Sequence, residues 1–280
     1  MSLQNINWYP GHMKKTRELI ASNLKLVDIV IEVIDARIPV SSRNPVIDEL
    51  TADKQRIIIL NKSDLSDGQE NNRWIEKLSK DGSKVMTLDS MHGVGIKELL
   101  NLMSKIEDDI NKDRVRKKNL RLMIVGVPNV GKSSLINRLT GKKSAKTGDK
   151  PGVTKGKQWL TLSNGMQLLD TPGILWPKFE DENVGIKLAF CGSIKDEILD
   201  LETLALRLIE LLQEEYPKLL ANRYKLEEIS DEGLVNMDNI ALNRGFILSK
   251  GRIDYSRCAK TVLDEFRSAQ IGRITLERAK

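Results

Sequence analysis

Residues 120–134 read Leu-Arg-Leu-Met-Ile-Val-Gly-Val-Pro-Asn-Val-Gly-Lys-Ser-Ser. The apolar run Leu120–Val125 enters Gly126, and Gly131 leads straight into Lys132–Thr140, where Leu135, Ile136 and Leu139 recur at helical spacing. A strand, a turn of G-x-x-x-x-G-K-S spacing and a helix make a cradle for phosphates. Its two glycines let successive N–H groups converge on phosphate oxygens, and the helix start adds its positive dipole end. Asn129, Val130, Gly131, Lys132, Ser133 and Ser134 are therefore expected around the phosphates. Lys132 would bridge the β- and γ-phosphates, and the Ser133 hydroxyl would ligate Mg²⁺.

Reading outward from this stretch, three further β-branched runs, Ile29–Ile34, Arg56–Leu60 and Lys84–Leu88, read as buried strands. Gln158–Leu162 and Met166–Leu169 flank Asn164-Gly165, a strong hairpin signal. Helical patterns lie between them, over Lys14–Lys25, Gln69–Lys80 and Ile96–Ile110. Strands alternating with helices predict an α/β domain, a mostly parallel sheet with helices on both faces and one antiparallel edge. After Pro177 the strand signal ends, and Asp196–Glu215, Asp231–Asn243 and Ser256–Ala269 are periodic in the helical sense. The expected division is residues 1–177 as a nucleotide-binding domain and 178–280 as a small all-helical domain.

Two segments after the cradle complete a nucleotide site. Asp170, in Asp170-Thr-Pro-Gly173, ends the hairpin where an acid reaches the Mg²⁺ shell through water, and the Gly173 N–H would meet the γ-phosphate. Thr154, in the Gly- and Lys-rich loop before the hairpin, would complete the magnesium shell. Upstream, the run Arg56–Leu60 ends in Asn61-Lys62-Ser63-Asp64. A carboxylate at the base edge accepts both N1–H and the exocyclic amine of guanine, so Asp64 selects GTP over ATP. Asn61 would support the loop and read the purine edge, with the Lys62 stem over the ring. Ser90 and Met91, at the end of the next strand, would offer hydroxyl and backbone groups near the guanine O6.

All five nucleotide motifs of the GTPase superfamily are thus present, with guanine specificity ahead of the phosphate loop. That order resembles the circularly permuted GTPases. Trp8-Tyr-Pro-Gly-His12-Met13, Asp35-Ala-Arg37-Ile-Pro39, Arg43-Asn44-Pro45 and the closing Arg267–Glu277 resemble the bacterial ribosome biogenesis GTPase A family over essentially the whole chain. The resemblance implies a circularly permuted P-loop GTPase domain followed by a helical RNA-binding domain that docks on the large (50S) ribosomal subunit, meeting rRNA and ribosomal proteins. Many GTPases place a Gln after the Asp-x-x-Gly motif to orient the attacking water. This chain has Ile174, so intrinsic hydrolysis should be slow. The resemblance offers two substitutes: His12 to position water, and Asn129 to hold an activating K⁺. A surface or structural role for His12 remains open.

Composition constrains the partners. With 45 Lys+Arg against 39 Asp+Glu the chain carries +6, unevenly spread. Residues 179–240 hold 15 acids and 6 bases, whereas 244–280 hold 9 bases and 4 acids. Lys112–Arg121 and Lys142–Lys157 are further basic blocks. Such blocks attract phosphate backbones, and four each of Phe, Tyr and Trp leave little for base stacking. Structured RNA is the expected partner, with Arg244, Arg252, Arg257, Arg267 and Arg273 as candidate contacts. Two cysteines make no disulfide framework, and no apolar run approaches the roughly 20 residues that span a bilayer. With no targeting pattern at residues 1–8, a cytoplasmic monomer binding GTP, GDP and a ribosomal subunit, and no membrane, is expected. Two other readings stay open, a GTP-dependent placeholder whose turnover only recycles it, and a nucleotide-switched regulator of a protein partner. In the permuted order the γ-phosphate loop precedes the helical domain directly, so its rearrangement could swing that domain.

Overall fold

Isoleucine and valine fill the strands at both odd and even positions because the sheet is covered on both faces. From β1 (Ile29–Asp35), Ile29, Ile31 and Val33 enter one core, while Val30 and Ile34 enter two smaller ones on the other face. The computed structural model describes residues 11–141, 158–162, 164–171 and 181–279, with backbone alone at 11–16, 19 and 158. Among these, β1, β2 (Gln55–Asn61), β3 (Lys84–Leu88), β4 (Arg121–Val125), β5 (Gln158–Thr161) and β6 (Gln167–Asp170) form one sheet in the order β3-β2-β1-β4-β6-β5. Every pairing is parallel except β5 on β6, the expected antiparallel edge. The phosphate-loop strand β4 therefore lies beside β1, and β2, which ends in the guanine motif, lies on the other side of β1.

Helices α1 (Gly11–Leu24), α2 (Pro45–Thr51) and α3 (Gly68–Leu78) cover one face through Ile20, Leu24, Ile47 and Trp74. Helices α4 (Ile96–Asn111) and α5 (Lys132–Thr140) cover the other through Leu99, Met103, Ile106, Leu135, Ile136 and Leu139. Each such side chain, fully buried, contributes roughly 1.5–3 kcal/mol. The expected helix over Lys132–Thr140 is observed with those bounds. Helix α2 was not anticipated, although Asn44-Pro45 carries its start signal: the Asn44 side chain accepts from the Val46 N–H, and Pro45 occupies the first turn.

The chain then turns helical, through α6 (Glu182–Phe190), α7 (Leu201–Glu215), α8 (Pro217–Tyr224), α9 (Gly233–Asn243) and α10 (Tyr255–Arg267). The single helix expected over Asp196–Glu215 is divided. A short 3₁₀ turn occupies Asp196–Ile198, and α7 begins afresh after Asp200, whose side chain accepts from the Thr203 N–H and hydroxyl. Asp200 is an N-cap, which starts a helix rather than continuing one. The core of α4 and α5 continues without a break into Phe190, Leu208, Ile240, Val262 and Phe266. The expected boundary at 177/178 falls outside the described residues. After α10 the chain returns as an irregular tail against the sheet half, where the Leu276 N–H donates to Arg37 O at 2.8 Å.

Candidate functional site

The functional loops gather at the carboxyl ends of the parallel strands, where open α/β sheets bind ligands. Between β4 and α5 the chain makes its turn with Gly126 at φ 149° and Gly131 at φ 94°. Neither position has room for a side chain. A Cβ on Gly126 would lie 2.3 Å from Val33 O, and one on Gly131 would lie 2.2 Å from Asn61 Nδ2. The glycines are needed for the backbone path and for its close approach to neighbouring strands. Helix α5 starts from Gly131 with no side-chain cap and no acid in its first turn, which leaves the dipole end unneutralised.

Two opposed charges sit under this loop. Lys132 is buried, and its ammonium donates to Gly126 O at 3.1 Å and Val127 O at 2.8 Å. Burial pushes its pKa down to about 8, against the pull of Asp170. Asp170, 4% exposed at the end of β6, has its carboxyl pushed up to about 6 by burial, with Lys132 opposing. Among the described residues its buried Oδ1 has no hydrogen-bond partner. A buried, half-compensated carboxylate within the field of Lys132 fits a hard divalent cation with oxygen ligands. Ser133 and Ser134 are half-buried on the first turn of α5.

The guanine motif is brought against this cradle by one side chain. Asn61, fully buried at the end of β2, donates from Nδ2 to Val130 O at 2.6 Å and to Ser90 Oγ at 3.0 Å. Its Oδ1 accepts the Ser90 N–H at 3.1 Å. Both amide hydrogens are engaged, so Asn61 ties the base loop to the phosphate loop. Asp64 is half-buried on the following turn, and its carboxyl is raised by burial and by Asp89. Lys62 adopts φ 59° and places its ammonium 3.1 Å from Asp35 Oδ2.

The loop after β3 requires a correction. The Met91 N–H, expected near the guanine O6, donates to Asp89 Oδ1 at 2.9 Å, as does the His92 N–H. With the Ser90 N–H also taken, the hydroxyl of Ser90 is the group at this position able to donate further, while the Met91 side chain is exposed. Arg138 of α5 holds the same loop by donating to Ser90 O at 3.3 Å and to Met91 O.

Asn129, at φ 60° inside the phosphate loop, donates to Gly192 O at 3.2 Å. Its amide nitrogen thus reaches the turn after α6, and its oxygen is the atom that could meet a cation. The described side chains do not include His12, whose backbone opens α1, and Thr154 and Gly173 lie outside the described residues.

Asp35 and Arg37, read from the sequence only as part of the Asp35–Pro39 motif, form a buried ion pair beside Lys62. Asp35 ends β1 fully buried. Although burial acts to raise its carboxyl, Arg37 and Lys62 hold it well below the usual carboxylate range. Arg37, also fully buried, grips it in fork geometry from Nε at 2.9 Å and Nη2 at 2.8 Å. The available signal was an acid at the carboxyl end of an otherwise apolar central strand.

Among the RNA candidates, Arg252, Arg257 and Arg273 are exposed, and Arg257 stacks on Phe246. Arg244 pairs with Glu265 at 2.5 Å. Arg267 is a correction. Its guanidinium binds both oxygens of Asp196 and donates to Ala189 O and Phe190 O, so it clamps α6 to α10 and serves the fold first.

Residues 121–236 match the family model described as "50S ribosome-binding GTPase". That span starts at β4 and leaves Asn61–Asp64 ahead of it, as permutation requires. The ribosome biogenesis GTPase A of Priestia megaterium is 46% identical over 278 residues, covering 97% of this chain and 96% of that one. A GDP-bound YlqF structure superposes with a TM-score of 0.68 at 30% identity, covering 93% of this chain and 98% of that one. The GNP-bound YlqF from Thermotoga maritima gives a TM-score of 0.66 at 31% identity, covering 95% and 99%. With a permuted phosphate cradle and guanine loop on one sheet, and this similarity over almost the whole of both chains, the protein belongs to the ribosome biogenesis GTPase A family and is a GTP-hydrolysing enzyme of ribosome assembly.

Proposed function

We propose that the chain binds GTP and GDP between Asn129–Ser134 and Asn61–Asp64, hydrolyses GTP on an immature large ribosomal subunit recognised through rRNA, and leaves it as the GDP form. The observation that carries the nucleotide site is the Asn61 Nδ2 to Val130 O bond, which locks the base loop to the phosphate loop across 69 residues of sequence. In this reading Lys132 exchanges its carbonyl partners for the β- and γ-phosphates, which restores the charge that burial disfavours. Ser133 and Asp170 would hold Mg²⁺, Asp170 through water, and the orphaned Oδ1 supports this. Bound Mg²⁺ would neutralise charge developing on the β- and γ-phosphate oxygens.

Asp64 would accept from the guanine N1–H and amine, with Lys62 over the ring and Ser90 Oγ toward O6. Thr154, Gly173 and His12 are assigned by motif to the metal shell, the γ-phosphate and the attacking water. Asn129 Oδ1 is assigned to an activating K⁺.

Residues 1–177 would serve as the GTPase domain and 178–280 as the ribosome-binding part. The exposed Arg252, Arg257 and Arg273 support an rRNA contact there, together with Arg244. Lys112, Arg114 and Lys117, exposed after α4, support a second contact on the sheet half. No helix among the described residues is long and apolar enough to cross a membrane. The reading is of a monomer working in the cytoplasm. The test is the GTPase rate with and without purified large subunits, in K⁺ and in Na⁺. Subunits should stimulate turnover, more strongly in K⁺ than in Na⁺. Equal rates with and without subunits would refute the ribosomal part, and equal stimulation in both salts would refute the K⁺ site.

A further inference from the structure

The described residues after α10 are held in place. Beyond α10, Ile271, Ile274, Thr275, Leu276 and Glu277 are all buried. Consecutive burial after the final helix needs specific partners, because terminal backbone is otherwise solvated and loose. The partners are the turn that carries Asp64 and its surroundings. The Ile274 N–H donates to Leu65 O at 3.1 Å, and the Asp67 N–H donates to Thr275 Oγ1 at 3.0 Å. Just outside, the Leu276 N–H donates to Arg37 O at 2.8 Å, and Trp74 Nε1 donates to Glu277 O at 2.9 Å.

The other side of the tail is held by the helical half. Tyr216, at the joint between α7 and α8, donates its hydroxyl hydrogen to Thr275 O at 2.8 Å and accepts the Thr275 N–H at 3.1 Å. Thr275 is thus gripped by helices through its backbone while its side chain grips the turn after Asp64. Asn61 anchors the near end of that turn to the phosphate loop, and the tail anchors its far end.

We infer that the tail Ile274–Glu277 positions the guanine-recognition turn, that Thr275 is a specificity-positioning residue, and that nucleotide binding is linked to the seating of α7 and α8. The inference rests on the reading of Asn61–Asp64 as the guanine site. Its physical basis is that a carboxylate taking two hydrogen bonds from one base edge discriminates only when held within a few tenths of an ångström. Any linkage runs both ways: a partner that displaces the tail loosens guanine nucleotide, and bound nucleotide tightens the tail.

The test compares GDP with IDP, which lacks the exocyclic amine that Asp64 would accept, in wild type, Thr275→Val and Thr275→Ser. Valine keeps the shape and removes only the acceptor for the Asp67 N–H. Wild type should prefer GDP, Thr275→Val should shrink that preference by roughly fivefold, as one lost hydrogen bond implies, and Thr275→Ser should restore it. General destabilisation would weaken both nucleotides and leave their ratio alone. Should the Thr275→Val chain fail to fold, hydrogen exchange on the wild type decides: GDP should slow the Ile274 and Leu276 amides. A GDP preference in wild type that Thr275→Val leaves intact, or amides indifferent to GDP, would overturn the role of the tail while the guanine site stands. Equal binding of GDP and IDP by wild type would overturn the Asp64 reading, and the tail's role with it.

Discussion

Replacing Asp170 by asparagine should stabilise the nucleotide-free chain while disabling its use of magnesium. The carboxyl is raised from the usual 3.8 to about 6, chiefly by burial. A folded chain that holds a proton more tightly than the unfolded one loses stability as pH rises through that window. Here the loss runs from about 3.8 to about 6 and is complete at neutral pH. The size of the shift corresponds to about 3 kcal/mol. An asparagine removes the charge but leaves a buried amide with its own unmet hydrogen bonds, so about 1–3 kcal/mol should be recovered. That is roughly 3–10 °C in melting temperature. The assay is thermal unfolding in chelator, without nucleotide, between pH 4.5 and 7.5. The Asp170→Asn chain should melt higher at pH 7.5, and its advantage should shrink toward pH 4.5, where wild type has regained its proton. Adding Mg²⁺ and GTP should then stabilise wild type far more than the variant. A variant that melts at or below wild type at pH 7.5, or an advantage independent of pH, would refute the reasoning.

Two further outcomes follow from the geometry of the loops. Gly131→Ala places a Cβ 2.2 Å from Asn61 Nδ2 at a φ of 94°, so it should break the Asn61 bridge to Val130 and weaken GDP binding by roughly tenfold or more. Titration with a fluorescent GDP checks this, and an unchanged affinity would show that the bridge does not set the pocket. Arg267→Ala strips partners from Asp196 and from two carbonyls at the end of α6, and should cost about 2–4 kcal/mol in urea unfolding, with lysine a poor substitute for the fork.

Much of the sheet was legible because its strands are buried on both faces, which favours short continuous β-branched runs. Elements anchored by one capping residue were harder. Helix α2 is seven residues long, too short for periodicity to register, and only Asn44-Pro45 announces it. The division before α7 depends on whether Asp200 faces outward mid-helix or folds back on Thr203, and the local sequence permits both. The site shows the same split. Gly126, Gly131, Lys132 and Asp170 stand at the spacings of a phosphate-binding motif, so the sequence marks them as candidates. The partners of Asn61 could not be marked this way, because its amide was consumed by Val130 and Ser90, residues brought near only by the strand order. Arg267 looks in sequence like any other arginine in a basic stretch, but in the fold it binds Asp196 and two carbonyls.

The local sequence carried the motifs: a phosphate cradle between a strand and a helix, an Asn-Lys-Ser-Asp turn ahead of it, and a helical half behind. These follow from residue type at fixed spacing, because strand, turn and helix start are local and phosphate binding needs nothing more distant than one turn. Tertiary structure alone decided which polar groups remain available for ligand and which are spent on the protein. It put Lys62 on Asp35, Asn61 on Val130 and Thr275 on Asp67, pairs separated by 27, 69 and 208 residues. Hydrogen-bonding capacity is finite, and how each donor and acceptor is used depends on what the fold sets beside it.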